Sequence, residues 1–125
     1  MSFAYDAGVL VAAERNDRSV WAEHAVRLQR GLMPVTTAPV VAQVSRSPRQ
    51  AQLYRFLRGC RVVPFTAEQA HDVGALLAAA GTADVVDAHL VIVAAALSAS
   101  VLTADPDDLN RLASCLKAPV TVLSV

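Results

Sequence analysis

Residues 83–105, ADVVDAHLVIVAAALSASVLTAD, contain the longest uncharged run of the chain, Ala88 to Ala104, bracketed by Asp87 and Asp105. The run falls short of the roughly 18 to 20 apolar residues that span a bilayer, and it carries His89, Ser98 and Ser100. A buried helix over Asp84–Ala99 followed by a strand over Ser100–Thr103 accounts for it better. A buried helix leading directly into a strand is half of a crossover unit, and the flanking sequence supplies more of the same.

Upstream, Thr66 caps a helix over Glu68–Ala80 that ends at Gly81, with Glu68 and Gln69 placed to support the cap. Arg61–Phe65 is β-branched and reads as a strand. Pro48 opens a helix carrying Leu53, Phe56 and Leu57 that ends at Gly59, and Pro39 opens one over Val40–Val44. Pro34–Thr37 reads as a short extended piece. Asp17 caps a helix with Trp21, Ala25 and Leu28 on one face, and Gly8–Arg15 is a further helix behind a first strand at Phe3–Asp6. Downstream come a helix over Pro106–Leu116 and a closing strand at Val120–Leu123. Strands separated by helices predict an α/β fold with a mostly parallel central sheet flanked by helices, and 125 residues suffice for one domain, 1–125.

Composition narrows the function. Hydrophobic residues make up 54% of the chain but aromatics only 5%, so the core is Ala, Val and Leu. Eleven basic and eleven acidic residues leave no net charge, which excludes a generally cationic coat for nucleic acid. Cys60 and Cys115 are too few for a disulfide scaffold or a zinc site and read as small buried hydrophobes. His24, His71 and His89 lack ligand spacing, and there is no GxGxxG or Walker sequence. The opening MSFAYDAGVL lacks the basic stretch of a secretory signal, which leads us to expect a cytoplasmic protein without a membrane role. A phosphoacceptor signalling domain would need an aspartate after a central strand, where this chain is acid-free.

In a parallel sheet, ligands bind outside the carboxyl ends of the strands. Asp6 ends the first strand, Asp105 ends the Val101 strand with Asp107 and Asp108 beyond it, and Asp84 and Asp87 share a face in the first turn of the most apolar helix. Clustered carboxylates repel one another and call for a cation, and hard oxygen donors without His or Cys suit Mg²⁺ or Mn²⁺. Such an ion is the usual apparatus for cutting phosphodiesters. Taken singly, Asp84, Asp107 and Asp108 also read as helix caps or dipole partners, and Asp6 as the cap of the helix after it. Charge order adds to the pattern. Between Glu23 and Glu68 lie seven arginines (Arg27, Arg30, Arg46, Arg49, Arg55, Arg58 and Arg61) and no acid; from Val62 to Asn110 lie seven acids and no Lys or Arg. A basic surface beside an acidic rim is what a nuclease needs, although the same arginines also read as solvated helix faces.

Four segments in order, Tyr5-Asp6-Ala7, Ala38-Pro39-Val40-Val41-Ala42-Gln43-Val44, Ala83-Asp84-Val85-Val86-Asp87-Ala88 and Leu102-Thr103-Ala104-Asp105-Pro106, resemble the PIN-domain family, specifically VapC-type toxins of bacterial toxin–antitoxin pairs. The resemblance implies a Mg²⁺-dependent ribonuclease, usually a homodimer, held inactive by a cognate VapB-like antitoxin. It maps the family's acids onto Asp6, Asp87 and Asp105, with Asp84 completing a catalytic and metal-binding set and Asp108 as a supplement. Arg46, Arg49, Arg55 and Arg58 would contact the RNA backbone. One position departs: where the family commonly has Glu, this chain has Gln43, which removes a negative charge and makes a weakened module that binds RNA or antitoxin without cutting the alternative expectation. A nuclease acting on DNA or structured RNA in processing is a third.

Overall fold

The computed structural model describes residues 1–125. Along the chain run β1 (Ser2–Tyr5), α1 (Ala7–Glu14), α2 (Arg18–Gln29), β2 (Val35–Thr37), α3 (Ala38–Val44), α4 (Ala51–Leu57), β3 (Arg61–Val63), α5 (Ala67–Ala80), α6 (Val85–Ala96), β4 (Ala99–Thr103), α7 (Pro106–Ala113) and β5 (Val122–Ser124). The five strands form one sheet in the order β3-β2-β1-β4-β5, and every neighbouring pair is parallel. The chain therefore steps outward from β1 through β2 to β3, then returns across the sheet to β4. With right-handed crossovers, these two directions put the early and late helices on opposite faces. Accordingly α1 packs with α3 and α4, and α6 with α5 and α7. The reversal lies between β1 and β4, whose register pairs Tyr5 with Leu102.

Local chemistry sets the element ends. Asp17 accepts hydrogen bonds from the Ser19 and Val20 amides, and the Thr37 side chain accepts from the Val40 amide ahead of a helix with Pro39 in its first turn. Gln69 reaches back to the Thr66 amide at 2.9 Å, and Gly81 ends α5 in the left-handed conformation at φ 68°. The core runs from Ala4, Tyr5 and Leu10 through Phe56 to Leu90, Val91 and Val101, all fully buried. Burying each such large aliphatic side chain contributes about 1.5–3 kcal/mol. No single helix is long and apolar enough to cross a membrane.

Several boundaries differ from the sequence reading. The most apolar helix ends at Ala96, not Ala99, because Ser98 turns left-handed at φ 52° and frees Ala99 to begin β4. Asp6 lies just beyond β1 as the cap of α1, Phe65 lies beyond β3, the last helix stops at Ala113, and β5 sits at Val122–Ser124. On α2 the buried residues are Val20 and His24, while Ala25 and Leu28 are exposed. Polar side chains turn inward there because Tyr5 gives the His24 imidazole a partner at 2.9 Å, which offsets its burial. His89 is likewise a core residue, stacked on Phe65 and bonded to Gln69 at 2.9 Å, whereas His71 is exposed. Cys60 is partly buried with its thiol pushed up to about 12 by burial, but Cys115 is exposed, contrary to its reading as a buried hydrophobe.

Candidate functional site

Three helices, α1, α6 and α7, begin at the carboxyl rim of the sheet, and each opens on an aspartate: Asp6, Asp84 and Asp105. Asp6 sits directly behind β1 and is fixed on several sides. Its backbone amide donates to Leu102 of β4 at 3.0 Å, its Oδ1 accepts from the Ala7 amide at 2.7 Å, and its Oδ2 accepts from the Thr103 hydroxyl at 2.8 Å. Thr103 is fully buried and also accepts from the Asp105 amide at 3.0 Å. One hydroxyl thus ties the cap of α1 to the turn that launches α7.

Sequence reasoning assigned Thr103 no role of its own, although a polar residue closing the apolar run Ser-Val-Leu is a legible signal. Gly8 works beside it. A Cβ there would lie 2.8 Å from the Ala104 Cβ, so only glycine lets the first turn of α1 approach the β4–α7 turn this closely.

The capping role holds for two of the acids. Asp84 Oδ1 accepts from the Asp87 amide at 3.0 Å, and Asp6 caps α1, whereas Asp105 occupies the cap position of α7 without a side-chain hydrogen bond. Capping does not exhaust their chemistry, because the carboxylates also act on one another. Asp87, half-buried in the first turn of α6, has its carboxyl pushed up to about 7, first by burial and then by Asp84, Asp6 and, more weakly, Asp108. Four acids from three elements therefore share one electrostatic neighbourhood. Asp105 is exposed and is not among the groups acting on Asp87.

No cationic side chain neutralises this cluster, since the molecule's one ion pair is Arg27 with Glu23 on α2. Nor do any three Asp, Glu, His or Cys side chains converge closely enough to hold one ion directly. The donors are all hard carboxylate oxygens. Such a set fits an ion like Mg²⁺, which takes one or two carboxylates and keeps several of its waters.

The remaining candidates lie further out. Gln43 is exposed on α3 and hydrogen-bonds to none of the aspartates. Arg46 donates to the Ala42 and Ser45 carbonyls at 3.1 and 2.7 Å, closing the end of α3. Arg55 stacks over the Trp21 ring at 4.5 Å, while Arg49 and Arg58 are exposed. Arg58 follows α4 just before β3 begins, at the amino-terminal end of the sheet. Arg58 thus stands at the opposite end of the sheet from the acidic rim.

The sequence model of the PIN domain matches residues 4–114. The chain belongs to the PIN-domain family. Solved structures repeat this PIN fold at low identity. The VapBC2 complex of Rickettsia felis, bound to a DNA fragment from its promoter, superposes with a TM-score of 0.72 at 19% identity, covering 100% of this chain and 99% of that one. FitAcB from Neisseria gonorrhoeae gives 0.63 at 15% identity, covering 97% and 96%. PAE2754 from Pyrobaculum aerophilum gives 0.62 at 15%, covering 97% and 83%. No curated protein sequence matches the chain. Asp6 and Asp105, just beyond the ends of β1 and β4, lie inside the matched PIN segment, as do α6 and the start of α7.

Proposed function

We propose that this PIN domain is a VapC-type toxin, a Mg²⁺-dependent endoribonuclease that forms a homodimer and is neutralised by a cognate VapB-like antitoxin. The single observation that carries the reading is that α1, α6 and α7 all begin at the carboxyl rim of the sheet and each opens on an aspartate, with Asp87 and Asp108 in the first turns of α6 and α7. Membership of the family supports nuclease chemistry, and the toxin–antitoxin complexes among its structural likenesses support the partner.

In this reading Asp6, Asp84, Asp87 and Asp105 would hold the ion, one or two of them directly and the others through its waters, with Mn²⁺ able to substitute, and Asp108 and Gln43 would stand behind them. The bound ion supplies charge neutralisation at the phosphate and a lowered water pKa. The chain's own part is orientation. Thr103 and the Ala7 amide fix both oxygens of Asp6, so that carboxylate is held in place before any ligand arrives. The Asp84–Asp87 turn presents its two acids from one helix end. Arg46, Arg49, Arg55 and Arg58 hold RNA phosphates, Arg55 with its guanidinium already ordered by Trp21.

A second reading, a PIN module that binds RNA or antitoxin without cutting, is favoured by the neutral Gln43 and by the lack of three directly converging ligands. Expression in a bacterial host separates the two. Asp6→Asn and Asp87→Asn should each abolish growth arrest with the fold intact, and co-expressed antitoxin should suppress it. Arrest that survives both substitutions sinks the mechanism.

A further inference from the structure

One aromatic ring is left standing at the carboxyl rim. Tyr5 and Phe56 are fully buried, and Phe3 and Trp21 each lie under an arginine, Arg27 and Arg55. Tyr54 is exposed on α4, with its hydroxyl 3.4 Å from the Ser47 carbonyl. Phe65 differs from all of these. Because β3 runs parallel to β2, its carboxyl end at Val63 shares the rim with Asp6 and Asp105, and Phe65 follows two residues later. The residue is 37% exposed.

The ring is held in place from behind. One face stacks on His89, with centroids 4.5 Å and planes 26° apart, and His89 is fully buried, so the exposed side of Phe65 is the side away from His89. Gln69 Oε1 accepts from the Thr66 amide at 2.9 Å and lies 2.9 Å from His89 Nε2. A carbonyl oxygen only accepts, so Nε2 is the donor of that second bond. One side chain thus fixes both the residue after Phe65 and the ring beneath it. His89 is two residues beyond Asp87, about 3 Å along the axis of α6. Val85, next to Asp84 and four residues before His89 on the same face of α6, is exposed as well.

Charge decides what such a ring can take. From Val62 to Asn110 there are seven acids and no Lys or Arg, so a phosphate finds no cationic side chain in this half of the rim. A nucleobase offers a neutral π-face, which stacks on aromatic side chains whatever the sequence. Inside a duplex both faces of a base are covered by its neighbours, so the base must be unpaired. We infer that Phe65 is a base-stacking platform: an unpaired nucleotide lays its base on the outer face of the ring, opposite His89 and beside the acidic rim. The inference rests on the preceding reading for RNA as the ligand, and adds to its phosphate contacts a grip on a base.

Anisotropy of a labelled, unstructured oligoribonucleotide, with Ca²⁺ in place of Mg²⁺ so that the strand is held without being cut, tests this on the full chain. Phe65→Ala and Phe65→Leu should each weaken binding at least about fivefold, while Phe65→Trp should stay within about threefold of wild type. The Phe65→Trp protein should also lose indole emission when the strand is added, beyond any change in wild type, whose one tryptophan is Trp21. Phe65→Leu keeps apolar bulk over His89, and a thermal melt shows that it folds; should it not, the quench in Phe65→Trp decides alone. A wild type without affinity for the strand, or one that binds a duplex of the same length equally well, overturns the proposal. So does an unquenched Phe65→Trp, or a folded Phe65→Leu that binds like wild type, the ring then serving only to pack His89 or to meet a protein partner. Binding and cutting fail separately. Ring-dependent binding without cleavage in Mg²⁺ defeats the nuclease reading alone, and cleavage with binding indifferent to the ring defeats this inference alone.

Discussion

At the scale of single residues, the rim is a set of aspartates whose opposing demands are reconciled by hydrogen bonds. Asp87 gives the clearest consequence. Its carboxyl holds a proton to about 7 in the fold against an ordinary value of 3.8, with burial the main cause and Asp84 the next. The native state therefore binds more protons than the unfolded chain between those values. Its contribution to stability is fully present below about pH 4, falls as pH rises through the window, and is lost above about 7. Thermal melts of metal-free protein should show a loss over that window that Asp87→Asn lacks, and added Mg²⁺ should restore stability near neutral pH. Parallel pH profiles for wild type and variant would contradict the electrostatic account. Thr103 makes a separate prediction. Thr103→Val removes its bonds to Asp6 and Asp105 and should cost about 1–3 kcal/mol in denaturant unfolding, whereas Thr103→Ser should retain most of it.

At the scale of elements, two glycines should respond in opposite directions. Gly8→Ala forces its Cβ against Ala104 and should destabilise by about 1–3 kcal/mol while shifting α1, and Asp6 with it, away from the β4–α7 turn. Gly74, within α5, has open space where a Cβ would stand, so Gly74→Ala should stabilise by roughly 0.5–1 kcal/mol through helix propensity. A single pair of melting curves checks both. Much of this layer was legible in the sequence, since Asp17, Pro39, Thr66 and Gly81 mark helix ends by their own side chains or backbone freedom. Most ends that slipped lacked such marks; the exception is Pro48, read as opening a helix that in the structure begins at Ala51 behind Gln50. The run from Val85 to Thr103 is apolar in both its helical and its extended parts, and only the left-handed turn at Ser98, which no residue type announces, divides them. The buried face of α2 was missed for a related reason: the burial of His24 depends on Tyr5, a partner nineteen residues away.

At the scale of the whole molecule, parallel order and one reversal between β1 and β4 explain how acids from positions 6, 84 and 108 come to act on Asp87. The sequence indicated which strands and helix starts carry aspartates, because the carboxyl-end rule needs only topology class. It did not show that the Thr103 hydroxyl links Asp6 to the Asp105 backbone, since that depends on how β4 turns into α7. Nor did it show that Arg58 stands near the amino-terminal end of β3. The central claim is that this rim is a metal nuclease, and cleavage of total cellular RNA by the purified protein in Mg²⁺ or Mn²⁺ tests it most directly, with chelator and Asp6→Asn as controls. The account predicts discrete fragments that disappear in both controls. Intact RNA, with folded protein and metal present, would contradict it and make Gln43→Glu the first change to test for restored activity.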